Sequence, residues 1–248
     1  MLRCGIYGVN MEVSLQLFSI HEETTKDFRK ALDLVAQTGF AGVEFAGYGG
    51  FTKDELARIL KEKQLYSVGT HCGLSAFENS IEEELEYSQG IGSRYIICPY
   101  AKVETMDEID HLVEVLNKAG DVAKEKNIKV GYHNHANEFV QIDGKYPLDI
   151  IAEKTGDNVI LELDVFWVAY AGLDPVEYIK KWGKKVELIH LKQIDGSKNN
   201  VDMGDGILDM NKIKEAAEYA KYFILEHEEY DKPVWESIEN DFALLNTL

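Results

Sequence analysis

The sequence is poor in cysteine, proline and positive charge, and each shortage removes a class of protein. Its three cysteines, Cys4, Cys72 and Cys98, are an odd number with no C-x-x-C pairing, so neither a disulfide framework nor a thiolate metal site is indicated. Each is read as a small buried apolar residue. Four prolines in 248 residues, with 45% apolar and 28% charged residues, exclude a disordered chain. Basic residues number 26 against 44 acidic ones, and the formal charge of −18 repels a phosphate backbone and an anionic membrane surface alike. No apolar run persists beyond about ten residues, half of the roughly 20 that a spanning helix needs, and no signal peptide is recognisable. The expectation is a cytoplasmic protein that binds neither nucleic acid nor membrane.

What the sequence does contain is a recurrence. Eight β-rich runs follow one another, at 13–19, 42–47, 66–71, 95–100, 129–134, 159–164, 186–192 and 222–227. Several are apolar on successive residues, as in strands covered on both faces. The segments between them carry apolar residues at helical spacing. "TTKDFRKALDLVAQTGF" places Phe28, Leu32 and Val35 on one face and ends on Gly39 as a C-cap, and "MDEIDHLVEVLNKAGDVAKEKNI" is the longest such piece. Further helices are read at 52–64, 78–90, 147–155, 174–182, 209–220 and about 232–246. Asp174 followed by Pro175 makes a good helix start.

Strand starts are about 24 to 36 residues apart, the length of one βα unit, and no linker interrupts the series. Eight units in one run predict an α/β protein with a closed (β/α)8 TIM barrel, a single domain over residues 1–248. Residues 1–12 are left over as an N-terminal arm or extra strand. An open doubly wound sheet would carry a glycine-rich loop after its first strand, and "LQLFSIHEE" is not one.

In such a barrel chemistry sits at the C-terminal ends of the strands. The runs end in Glu44, His71, His133 with His135, Asp164, His190 with Lys192, and Glu226 with His227; Glu138 follows shortly after the fifth. Oxygen and imidazole donors converging without a thiolate suit a divalent ion, Mn2+ first, with Mg2+, Co2+ or Zn2+ as alternatives. By strand alternation Glu162 points the same way as Asp164 but deeper, where it needs a partner. His21 and His111 fall on helix or loop surface, and His227 should face away from Glu226, so these three are read as structural.

At this point the ordered set "LQLFS", "GVEFAGYGG", "GTHCGL", "GYHNHANEF", "LELDVFWVAYAGLDP", "IHLKQIDG", "GDGILDM" and "YFILEHEEYDKP", from residue 13 to about 236, resembles the sugar phosphate isomerase/epimerase family of xylose-isomerase-like TIM barrels. The resemblance implies one divalent metal held by a Glu, Asp, His, Glu set from strands five to eight. Asp164, His190 and Glu226 match that set. At strand five the sequence departs: His133 stands where many relatives place a glutamate. Glu138, folding back from the loop, is then the preferred ligand, with His133 on the metal as the alternative.

The resemblance also implies proton abstraction next to the carbonyl of a sugar or keto-sugar, with Glu138 and Glu226 as the carboxylates on opposite faces and His133 as a further catalytic group. Substrate contacts are expected from His71, His135, Trp167 and Lys192. An isomerase or epimerase is the first reading. A lyase is the alternative, in which an imidazole protonates a departing β-oxygen, as in inosose dehydration or 3-keto-glycoside elimination. A nuclease of the AP-endonuclease class would need a basic rim, and a non-catalytic sugar-binding subunit is the remaining reading. Phosphate recognition is not expected, because apart from Lys192 the strand ends hold almost no basic residue. Such barrels often pair, so a homo-oligomer is open.

Overall fold

The computed structural model describes residues 12–248. Cys4 and, Glu12 aside, the arm or extra strand expected over residues 1–12 lie outside the described residues. The strands are β1 (Val13–Gln16), β2 (Gly42–Phe45), β3 (Tyr66–His71), β4 (Tyr95–Cys98), β5 (Lys129–His133), β6 (Val159–Asp164), β7 (Val186–Leu191), the short β8 (Gln193–Ile194) and β9 (Asn200–Val201), and β10 (Tyr222–Leu225). Eight of them, β1 to β7 and β10, close a parallel barrel, with β1 pairing β2 on one side and β10 on the other. β8 and β9 form a separate antiparallel hairpin in the segment after β7. The expected (β/α)8 barrel is the observed one.

The helices between strands start and stop for local reasons. Thr52 with Glu55 and Thr105 with Glu108 make reciprocal capping boxes before Lys53–Lys63 and Met106–Lys124. Gly39 closes His21–Thr38 in the left-handed region at φ 111°, and the Asp174 side chain caps Pro175–Trp182. The helix expected at 78–90 is instead two, Leu74–Asn79 and Ile81–Ile91, broken at Ser80 where φ is −144°. An unanticipated helix, Val165–Tyr170, begins directly after Asp164, whose side chain caps it. No helix among the described residues is long and apolar enough to cross a membrane.

Two-residue alternation sorts the barrel interior into layers. Val68, Tyr95, Ile97, Ile160, Leu188 and Ile224 form an apolar cluster of their own, distinct from the larger one that joins strands to helices. One step toward the C-terminal end, the same strand faces carry Glu162, His190 and Glu226, two residues after Ile160, Leu188 and Ile224. Gly131 precedes His133 in the same way on β5. A Cβ there would lie 2.4 Å from Ile97 Cδ1 and 2.8 Å from Ile160 Cδ1, so glycine is what lets the apolar layer close beneath the polar one. Buried polar groups are tolerable only when they bond to one another, and the next layer does so.

Candidate metal centre

Four side chains from four adjacent strands converge above the apolar layer. His133 from β5, Asp164 from β6, His190 from β7 and Glu226 just past β10 each offer a donor atom, and these atoms all lie within 4.8 Å of one another. Asp164 and His190 are fully buried, and His133 and Glu226 are nearly so. Asp164 Oδ1 accepts the Trp167 N–H at 3.1 Å as a helix cap, while Asp164 Oδ2 is buried with no partner. Its backbone is fixed by Asn134, whose side-chain oxygen accepts Asp164 N–H at 3.1 Å and whose amide donates to Asp164 O at 3.3 Å. A buried carboxylate oxygen without a donor, beside two imidazoles and a second carboxylate, is a donor set that fits a divalent cation.

The electrostatics of these groups follow from burial and from one another. Burial pushes the Asp164 carboxyl up, to about 8, with Glu226 adding repulsion against the pull of Lys192 and His190. For Glu226 burial is outweighed by Lys192 and His190, which hold it well below the usual carboxylate range. His190 is likewise held above its ordinary value, because Glu162 and Glu226 outweigh its burial. His133 goes the other way, lowered to about 4 by burial.

Beneath and beside this set lies a second group of polar side chains. His71 Nε2 lies 2.7 Å from Glu162 Oε2 and 3.2 Å from Glu44 Oε2. Glu44 Oε2 also accepts the Gln16 amide at 2.8 Å and faces His190 Nε2 at 2.8 Å. Glu162 Oε2 faces His133 Nδ1 at 3.1 Å and His190 Nε2 at 3.3 Å. The partner that Glu162 needed is thus three histidines. Glu44 and His71 were visible as strand-end residues, whereas Gln16 and Asn134 were missed. Gln16 stands two residues after Ser14 and aligned with Glu44, a register that only the closed barrel reveals.

Glu138 departs from expectation. It does not join the cluster: Oε1 accepts the Tyr132 hydroxyl at 2.6 Å and the Asn137 amide at 3.0 Å, and Oε2 accepts the His135 backbone N–H at 2.7 Å. Tyr132 is out of phase with His133 and packs with the strand-helix core, so a carboxylate bonded to it sits outside the barrel lumen. The turn Asn137–Phe139 brings Glu138 back to its own strand end rather than over the mouth. Burial raises its pKa. Of the two strand-five candidates, His133 is the side chain that lies within the cluster.

A cavity of about 400 Å3 opens at the C-terminal end of the barrel, lined by Phe18, Ala46, His71, Pro99, Tyr100, His133, His135, Glu226 and Glu228. Of the expected substrate contacts, His71 and His135 line it. Trp167 packs behind His135 with ring centres 5.4 Å apart. Lys192 is also set back, 1% exposed, with Nζ 2.5 Å from Glu228 and 5.0 Å from the centres of the Phe166 and Trp167 rings. Burial alone would lower Lys192, but Glu226, Asp164 and Glu228 raise it above its ordinary value. For His135 the balance falls the other way: its buried Nδ1 lacks a partner, and burial with nearby His133 outweighs the pull of Glu226 and lowers it to about 3.

Of the histidines read as structural, two lie at the surface and His227 falls in a further group of possible ligands with Asp202 and Asp241. His21 and His111 are exposed, and His227 is buried with Nδ1 2.8 Å from Asp241 and Nε2 2.8 Å from the Glu229 carbonyl. Cys72 and Cys98 are buried free thiols.

Comparison with known proteins agrees with this architecture. Residues 32–247 match the family model for the xylose isomerase-like TIM barrel. An inosose dehydratase of Geobacillus kaustophilus is 31% identical over 218 residues, covering 77% of this chain and 69% of that protein. Clostridial inosose dehydratases match over shorter stretches; the Clostridium perfringens protein is 37% identical over 89 residues, so the match spans 36% of this chain and under a third, 29%, of that relative's length. Among solved structures, a sugar phosphate isomerase/epimerase from Parabacteroides distasonis superposes with a TM-score of 0.84 at 21% identity, covering 98% of this chain and 96% of that one. The IOLI protein, solved with a bound zinc atom, superposes with a TM-score of 0.76 at 17% identity over 96% of both chains. At such identities the solved structures speak for the fold alone.

Proposed function

The chain belongs to the xylose isomerase-like TIM barrel family, and we propose that within it this protein is a divalent-metal-dependent lyase that removes water or an aglycone β to the carbonyl of an unphosphorylated keto-sugar or keto-cyclitol. The observation that carries the reading is the convergence of His133, Asp164, His190 and Glu226, with Asp164 Oδ2 unpartnered, next to a cavity that also holds His135. A divalent ion held by these four side chains would stabilise the negative charge that develops on the substrate oxygen as the adjacent carbon loses its proton. Two imidazoles in place of the expected one move the preference from Mn2+ toward Zn2+ or Co2+.

His135 does the proton work in this reading. Burial and His133 hold its ring neutral, and an anionic oxygen nearby would strengthen it as a base. It takes the proton from the carbon next to the carbonyl. The electron pair left behind forms the carbon–carbon double bond as the bond to the β-oxygen breaks, and the imidazolium then gives the same proton to that oxygen, releasing water or an alcohol. Epimerisation would instead need a second base on the opposite face. The carboxylate expected there, Glu138, is engaged by Tyr132, Asn137 and His135, which weighs toward elimination. The relatives named inosose dehydratase support the same class. The cavity lining contains no arginine or lysine, which supports an uncharged substrate.

The test is turnover in D2O across ketoses, inososes and 3-keto-glycosides, with phosphorylated ketoses alongside. Elimination gives an enone with release of water or aglycone. Deuterium uptake with recovery of a stereoisomer and no enone would replace the lyase by an epimerase.

A further inference from the structure

Glu44 and Glu162 have no part in the reaction above, yet both are fully buried carboxylates, and burying a charge costs several kcal/mol unless something specific compensates it. Their bonded oxygens meet imidazoles and one amide, and their other oxygens, Glu44 Oε1 and Glu162 Oε1, have no partner. The two nitrogens of His190 face opposite ways: Nδ1 lies 3.2 Å from Glu226 Oε2, and Nε2 lies 2.8 Å from Glu44 Oε2. His133 turns Nδ1 to Glu162 at 3.1 Å, which leaves Nε2 as the nitrogen free of it.

Resting on the metal reading of the site, we propose that Glu44 and Glu162 are positioning residues that fix the tautomers of the two histidine ligands. Glu44 accepts N–H from His190 Nε2, so Nδ1 carries the lone pair toward Asp164 and Glu226. Glu162 accepts N–H from His133 Nδ1, so Nε2 carries the lone pair. A neutral imidazole has one lone pair and one N–H, and an anionic acceptor on the N–H both selects the tautomer and makes the opposite nitrogen a stronger donor. His71 Nε2, between the two carboxylates, and the Gln16 amide on Glu44 hold this pair of acceptors in place. The alternative use of the same residues, a second ion among His71, His133, Glu162 and His190, would compete for the histidines, since one neutral ring cannot serve two ions.

The test uses the whole chain, stripped of metal and titrated with Zn2+ against a competing chelator. The variants are Glu44→Gln, Glu162→Gln and Glu162→Leu, with 15N spectra of the histidine rings in the zinc-loaded protein. The expected result is one ion per chain, with His190 protonated on Nε2 and His133 on Nδ1. Affinity should fall roughly 10- to 100-fold in Glu162→Leu and less in the glutamine variants, which retain an acceptor oxygen. Thermal stability of metal-free Glu162→Leu should fall, because His71, His133 and His190 lose the buried carboxylate they share, so zinc affinity and the ring tautomers are the readouts that a purely structural glutamate would leave unmoved. The opposite tautomers, two ions per chain, or unchanged affinity with lowered stability would each overturn the proposal. Failure of the unmodified chain to bind any divalent ion would overturn the metal reading as well. Tight binding with the wrong tautomers would overturn this inference alone.

Discussion

Glu44 and His190, 146 residues apart in the chain, meet at 2.8 Å inside the barrel. The contact spans the lumen from β2 to β7, so it exists only when the barrel is closed. It belongs to a layer in which Glu44, Glu162, Asp164 and Glu226 are all buried above an apolar floor. Such a layer is a poor way to stabilise a fold and a good way to hold a cation.

Within the set His133, Asp164, His190 and Glu226, Asp164 supplies a buried carboxylate oxygen that has no partner. Asp164→Asn keeps the cap on the Trp167 N–H through its amide oxygen but removes the charge from the unpartnered position. Zinc affinity should fall by more than the roughly 10- to 100-fold that loss of an outer hydrogen-bond partner costs. Chelator competition measures it, and an affinity equal to that of the unmodified chain would remove Asp164 from the ligand set.

The same residue makes the metal-free protein sensitive to pH. Asp164 titrates near 3.8 when unfolded and near 8 in the fold, so between these values the folded state holds the extra proton. Stability from this group is therefore present at low pH and is lost as pH rises toward 8. Asp164→Asn abolishes that dependence. Melting curves of the two metal-free proteins should lie closest near pH 5 and diverge toward pH 8, with the variant the more stable. Curves that stay parallel over this window would show that Asp164 is already ionised throughout.

Glu138→Gln separates a ligand from a loop anchor. The amide offers one acceptor oxygen where the carboxylate serves Tyr132, Asn137 and His135 N–H, so a buried donor is left facing an NH2 group. The expected cost is about 1–3 kcal/mol of stability, read from denaturant unfolding, with zinc affinity unchanged. A large loss of affinity would restore Glu138 to the metal.

The eight strands were legible because their spacing and continuous apolar character are properties of short windows, and strands Tyr66–His71 and Val159–Asp164 fall where the sequence put them. Asp164, His190 and Glu226 were legible for a related reason: each ends such a window. Glu138 was not, because its fate depends on which face Tyr132 takes and on a three-residue turn, neither of which leaves a mark in composition. The break at Ser80 and the helix starting at Val165 are similarly set by the packing of neighbouring loops. Glu44 could be seen at a strand end, but its partner on β7 could not, since register across a closed barrel is a global property.

His135 is the remaining residue whose position outruns its hydrogen bonding. It lines the cavity, its Nδ1 is buried without a partner, and Trp167 backs its ring. His135→Asn retains a polar side chain of smaller reach and leaves His133, Asp164, His190 and Glu226 in place. If His135 carries the proton between carbon and the departing oxygen, turnover should fall by roughly 10²- to 10⁴-fold, the range for loss of a positioned acid–base group. Zinc affinity should not move, and deuterium uptake from D2O at the carbon next to the carbonyl should fall together with product release. Uptake that persists while product release is lost would confine His135 to protonating the leaving oxygen and would assign proton abstraction to another group, with Glu226 as the carboxylate on the cavity wall.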